Sequence, residues 1–205
     1  MSDSKGVRYG ISNAHYALYT DGQDGALGTY ATPVAMQGAT QLTLTPQGDT
    51  WTFYADNIAY ESGSSNTGYE LSITIAVFGD QAKIDLLGYK TDSNGVVYEP
   101  ADAEPASAAF LWEFGGSKVK KRGLLYNVKV NRPTMSGNTK TESVDPDTDE
   151  MTGVAIGRDL TIGGHTVNVI KASVTDATAT ATQYENWFNS VYIVGGASGS
   201  TGSTS

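Results

Sequence analysis

The sequence predicts a mainly β protein, a sandwich or barrel with one short flanking α-helix, and three observations point there. Several segments alternate apolar and polar residues with a period of two, the pattern of strands that set one face on a core. Glycine is abundant, at 24 of 205 residues, which suits frequent turns. Tyrosine (12) outnumbers phenylalanine (5) and charged residues make up only 17%, a balance that favours short strands and amphipathic contact surfaces.

Taken in chain order, strands are expected at Val7 to Ser12 and His15 to Tyr19, before an irregular stretch from Thr20 to Gly28. Gly38 to Thr45 sets Leu42 and Leu44 against Gln41 and Thr43, and Trp51 to Asp56 sets Trp51, Phe53 and Ala55 on one face. Pro46-Gln47-Gly48-Asp49 between them is a turn signal, so the two are expected to form a hairpin. Asn57 to Gly68 reads as a long polar loop. Tyr69 to Val77 alternates most cleanly, with Leu71, Ile73, Ile75 and Val77 toward a core and Glu70, Ser72, Thr74 and Ala76 away from it. Asp80 can cap a two-turn helix over Gln81 to Leu87 that Gly88 ends, with Ile84, Leu87 and Ala82 inward. Strands follow at Ala108 to Phe114, Leu124 to Asn131 and Thr166 to Thr175, with a second irregular loop at Met135 to Gly153. Gln183 to Asn189 spaces Tyr184, Trp187 and Phe188 for one helical face, although a strand also fits there. The length suits one principal domain, 1–194, and the Gly/Ser/Thr-rich stretch 195–205 has the composition of a flexible tail.

Composition excludes several functions. There is no cysteine, which removes disulfide frameworks, thiol nucleophiles and Cys-type zinc sites. The first residues lack the apolar run of a signal peptide and no stretch approaches the ~20 apolar residues needed to span a bilayer, so a chain made and kept inside a cell, with no membrane partner, is expected. A net charge of −9 would repel a DNA duplex from most of the surface.

No catalytic centre is expected. The two histidines, His15 and His165, have no G-x-S-x-G elbow to pair with and no local zinc spacing, and no phosphate-cradling GxxxxGK loop exists. Asp145, Asp147 and Asp149 alternate like the start of a calcium loop, but Glu150 stands where glycine is needed and Ile156 where a bidentate carboxylate is needed. No cofactor is implied. Lys118, Lys120, Lys121 and Arg122 concentrate four of thirteen bases at an expected hairpin tip, either a solvated turn or a contact with an acidic patch on a neighbouring copy. Tyr9, Tyr16, Tyr19, Tyr54, Tyr60, Tyr69 and Tyr126 read as half-buried sheet residues or, alternatively, as a sugar platform.

In order along the chain stand Gly10-Ile11-Ser12-Asn13-Ala14-His15-Tyr16-Ala17, Gly38 to Leu44, Tyr54-Ala55-Asp56-Asn57 with Tyr60, Gly68-Tyr69, Leu86-Leu87-Gly88, Ala109-Phe110, Tyr126, and Arg132-Pro133 leading to Thr139-Lys140-Thr141. This ordered set, over about two-thirds of the chain, resembles the major tail protein family of long, flexible-tailed phages of Gram-positive bacteria. The resemblance implies a β-sandwich with a flanking helix, assembled into hexameric rings stacked as a hollow tube through which double-stranded DNA passes. It further implies a virion tail protein made in the host cytoplasm, with tape measure, tail terminator and distal tail proteins as partners. Under it Glu70, Ser72 and Thr74 would face the lumen. Tyr60, Glu61, Asn66, Lys118, Lys120, Lys121, Arg122, Asp145, Asp147 and Asp149 would join subunits or rings. The alternative is another virion or cell-surface β-sandwich, such as a baseplate protein, an adhesin or a carbohydrate-binding module.

Overall fold

The computed structural model describes residues 7–22, 28–116, 118–134 and 147–195. The strands in chain order are β1 (Arg8–Thr20), β2 (Thr29–Tyr30), β3 (Val34–Ala35), β4 (Ala39–Gln47), β5 (Thr50–Ala55), β6 (Ile58–Ser64) and β7 (Gly68–Ile75). After helix α1 (Asp80–Leu87) come β8 (Lys90–Thr91), β9 (Val97–Tyr98), β10 (Ala108–Gly116), β11 (Lys121–Val130), β12 (Asp149–Ile156), β13 (Arg158–Ile162), β14 (His165–Val169) and β15 (Lys171–Thr175). The short helix α2 (Ala181–Glu185) runs into a 3-10 turn, Asn186–Phe188. The protein is mainly β, built on one large antiparallel sheet ordered β2-β1-β10-β11-β12-β7-β4. Both β12 and β15 pair with β11, along different halves of it, so the sheet forks there.

Two cores lie on opposite faces of this sheet. The first gathers Leu71, Ile73 and Ile75 of β7, Phe110 and Trp112 of β10, Leu125 and Val128 of β11 and Met151 of β12. Full burial of each branched side chain contributes about 1.5–3 kcal/mol. The sheet curls so that β4 comes beside β1, and α1 covers this core with Ala82, Leu86 and Leu87. The second core, on the other face, holds Ala17, Ala109, Leu111, Leu124 and Tyr126 under Leu160, Trp187 and Val191. The last segment is fastened by hydrogen bonds as well: Tyr126 Oη donates to the Tyr192 carbonyl at 2.9 Å, and Trp187 Nε1 to that of Gly123 at 3.4 Å. A strand covered on both faces reads as a continuous apolar run, which is how Ala108 to Trp112 appears.

Several expectations are corrected. The two strands expected between Val7 and Tyr19 are one, Arg8–Thr20, kept continuous through two register shifts against β10. Pro46 to Asp49 is not a reversal: β4 pairs with β7, not with β5, and the chain runs on into β5. Proline is tolerated there because β4 is the end strand of the sheet. The reversal is at Asp56 and Asn57, both at positive φ (51° and 64°), as a two-residue type I′ hairpin requires, and the expected loop 57–68 contains β6. Val77 is 70% exposed, since β7 ends at Ile75 and Phe78 takes the next inward place. The second expected loop runs into β12, which begins at Asp149 and whose Met151, Gly153 and Ala155 alternate inward. Thr166 to Thr175 divides between β14 and β15, which pair with different strands. On α1 the cap is Gly79 rather than Asp80, and Leu86 rather than Ile84 is buried, while Gly88 does end the helix at φ 75°.

Candidate functional site

The outward face of the β4-β7-β12 sheet is polar by register. Glu70, Ser72 and Thr74 of β7 stand beside Thr45, Thr43 and Gln41 of β4 and, on the other side, beside Val154, Thr152 and Glu150 of β12. Directly opposed residues of an antiparallel pair share a face, so these nine side chains form one surface. Hydrogen bonds tie it together: Ser72 Oγ donates to Glu150 Oε1 at 2.7 Å and Gln47 Nε2 to Glu70 Oε2 at 3.3 Å. Lys129, opposite Val154, adds a cation at the border, and Val154 and Ile156 add an apolar margin, each 49% exposed.

The second feature is the β5-β6 hairpin. Backbone bonds Thr67 N–H to Gln47 O (3.0 Å) and Ser65 N–H to Asp49 O (2.8 Å) carry the β4-β7 ladder into it, making one long two-stranded ribbon. Its outer six residue pairs reach about 20 Å at ~3.3 Å per residue. No buried residue underlies it: Trp51, Phe53, Tyr54, Ile58 and Tyr60 are all more than half exposed. Phe53 and Tyr60 meet edge to face at 6.3 Å, and Trp51 lies over Gly63, where any Cβ would meet the indole. These contacts stiffen the ribbon without covering it.

At the ribbon's root, between β1 and β4, opens a cavity of about 600 Å³. Ile11, Leu42, Leu44, Trp112 and Phe114 line it, with Lys121 and Lys171 at its wall and, among the described residues, no acid in the lining. Lys171 Nζ donates to Tyr69 Oη at 3.0 Å and lies 4.3 Å from that ring's centre.

The residues singled out from sequence fall at several places. Tyr60 and Glu61 are exposed on β6, and Asn66 is exposed between β6 and β7. Lys118 and Lys120 are exposed in the β10-β11 turn, where the Lys120 N–H donates to Asp176 (3.2 Å), and Lys121 is on the cavity wall. Arg122 is drawn inside: its Nε holds Glu113 at 2.6 Å, its Nη1 donates to the Tyr184 carbonyl, and its side chain is 15% exposed. It is therefore not a free surface charge. Asp149 is likewise engaged within the subunit, accepting the Phe78 N–H at 2.8 Å, while Asp147 is exposed and Asp145 lies outside the described residues. Among the described residues no three metal-ligating side chains converge. His15 stacks on Phe188 at 4.7 Å, whereas His165 sits at the β13-β14 turn. Burial, then the hydrogen bond to Asp85, raises the Tyr16 phenol well above its usual range, and burial does the same for Tyr126.

Sequence reasoning named Tyr60 as a contact residue and set Trp51 and Phe53 on one strand face, but missed the ribbon that carries them and the cavity. Asp56-Asn57 between two β-rich runs was the available signal for the ribbon. The cavity had none, since its wall comes from strands far apart in sequence. No protein-family model matches the chain, and no curated protein is significantly similar to it. Among the described residues no helix is long and apolar enough to cross a membrane.

Proposed function

We propose that this chain is a structural subunit that assembles with copies of itself into stacked, hexameric rings forming the hollow tail tube of a long-tailed phage. The observation that carries the reading is the β5-β6 ribbon, whose exposed aromatic residues have no core beneath them. Large apolar side chains held out on a stiff, register-fixed ribbon are costly in water unless a partner covers them. The polar face bearing Glu70, Ser72 and Thr74 would then serve as lumen wall. Carboxylates there repel phosphates and the hydroxyls offer only uncharged hydrogen bonds that release no counterions, so DNA would pass with little retention, and each added cation would increase it. Tape measure, terminator and distal tail proteins would cap and fill such a tube, and the protein's place would be the virion tail.

Negative-stain electron microscopy of the purified chain tests this directly. Rings or tubes are expected, with a monomer at all concentrations as the refuting result. A glycan-binding sandwich, which would use the same exposed aromatics on a monomer, predicts that second outcome together with retention on a polysaccharide column. For the lumen wall, Glu70→Lys is expected to preserve tubes and to slow DNA ejection at low salt. Ejection unchanged at both low and high salt would place Glu70 off the lumen.

A further inference from the structure

We infer that a second cavity, between the end of β1 and the β13-β14 hairpin, binds one neutral sugar residue, with Arg158 and Asn127 holding its hydroxyls. Among the described residues no part of the β5-β6 ribbon lines this cavity, and the inference stands independently of the assembly reading.

Two polar atoms carry the inference. Arg158 Nε and Asn127 Oδ1 are buried and, among the described residues, neither has a hydrogen-bond partner. One is a donor and the other an acceptor, and both residues line the same cavity of about 360 Å³. Buried polar groups are otherwise nearly always paired, so these two mark a place for a group that accepts and donates at once. A hydroxyl does both. The guanidinium is held in position for it: its carbon lies 3.4 Å from the Tyr19 ring centre, its side chain is 13% exposed, and Asp21, 3.8 Å away, is 93% exposed and so solvated. Asn168 Nδ2 donates to Asp159 Oδ1 at 2.7 Å on the same lining, and a carboxylate has lone pairs enough to accept from a hydroxyl as well. Gly157 leaves room for that pair, since a Cβ there would meet Asn168 Oδ1.

The mixed charge of the lining decides the class of ligand. A bare anion would meet Asp21 and Asp159, and a metal cation would meet the guanidinium. A neutral polyol meets neither objection. Beside this cavity lies one of about 300 Å³ that shares Tyr19, Arg158 and Asp159 with it and is walled by Tyr30, Leu160 and Ile193. Hydroxyl partners at one end and an apolar wall at the other suit a pyranose, which has hydroxyls around its rim and a face of C–H groups. Both volumes stand at the small end of ligand sites, the size for a single sugar residue rather than an oligosaccharide.

Saturation-transfer difference NMR on the full chain tests the site, with glucose, galactose, rhamnose and N-acetylglucosamine as probes and acetate and succinate as anionic controls. Saturable transfer to one or more of the sugars is expected. Arg158→Lys, which keeps the charge but loses the Nε–H, and Asn127→Leu, which removes the acceptor, should each weaken binding about tenfold. Asn168→Ala, at an exposed position of β14, is a further lining variant should either of these lower the melting temperature. Tyr54→Ser with Ile58→Ser, on the ribbon, should bind the sugar as the parent does. No transfer to any sugar, transfer to the anions alone, or a sugar signal that the cavity variants leave unchanged overturns the inference. Loss of the signal in the ribbon variant overturns it too, by placing the sugar on the ribbon. Sugar binding by a chain that never forms tubes would uphold the site and refute the assembly reading alone, and tubes without sugar binding would do the reverse.

Discussion

Replacing Glu113 by alanine should be among the most damaging single changes in the subunit. Glu113 and Arg122 meet at 2.6 Å with side chains 8% and 15% exposed. Arg122 is further enclosed by the Tyr184 ring, 3.8 Å from its guanidinium carbon, and by Phe188 at 4.8 Å. With the carboxylate gone, the buried guanidinium keeps, among the described residues, the Tyr184 carbonyl and two ring faces. Breaking a buried pair in this one-sided way costs about 3–5 kcal/mol. At a urea dependence of about 2.5 kcal/mol per molar, the unfolding midpoint should fall by ~1–2 M. The double replacement Glu113→Leu with Arg122→Met removes both charges and should recover most of the loss. Urea titrations followed by tryptophan fluorescence would measure all three chains. A loss under about 1 kcal/mol in Glu113→Ala would show the pair to behave as a screened surface contact and would refute the reasoning.

Gly123 faces Trp112 across the β10-β11 ladder with no room for a Cβ, so Gly123→Ala should cost ~1–3 kcal/mol by overpacking, read as a lower melting temperature. Tyr54→Ser with Ile58→Ser, at positions 66% and 63% exposed, should leave the urea midpoint within about 0.5 kcal/mol of the parent while abolishing assembly in sedimentation velocity. The phenols of Tyr16, Tyr30 and Tyr126 are raised in the folded state, mainly by burial. Their contribution is fully present below the unfolded value of about 10 and is lost as pH rises above it, so stability should decline on the alkaline side, read as a falling urea midpoint by tryptophan fluorescence.

Alternation made β7 legible, because Leu71, Ile73 and Ile75 all belong to one core, but it says nothing of where a strand leaves its sheet. Val77 continues the pattern and is exposed, since the chain turns out after Ile75. Trp51 and Phe53 alternate just as well and have no layer under them. Period two reports that two faces differ, not that either is covered. β12 escaped notice for the opposite reason: its inward residues include Gly153 and Ala155, too small to register as apolar, and it begins within an acidic run that resembled a loop. The polar face was readable from Glu70, Ser72 and Thr74 on a single strand, whereas the cavity depends on β1, β4, β10, β11 and β15 coming together. Such tertiary sites leave no periodic trace.

Salt should separate the two electrostatic effects that act on copies of this chain. Each copy carries −9, and a 205-residue fold is about 40 Å across, so two copies at that separation repel by roughly 8 kcal/mol in unscreened water. With a Debye length near 30 Å at 0.01 M salt, about 2 kcal/mol of that survives, while at 0.15 M, with about 8 Å, almost none does. A close lysine–carboxylate pair between two copies is worth ~1 kcal/mol at about 4 Å in water and loses only ~0.3 kcal/mol over the same range. Relief of the general repulsion therefore outweighs weakening of the local pairs. Light scattering should show assembly beginning at a lower protein concentration as salt rises from 0.01 to 0.15 M, followed by a plateau. An onset that moves steadily to higher concentration would mean that local ion pairs, rather than covered aromatic surface, hold the copies together.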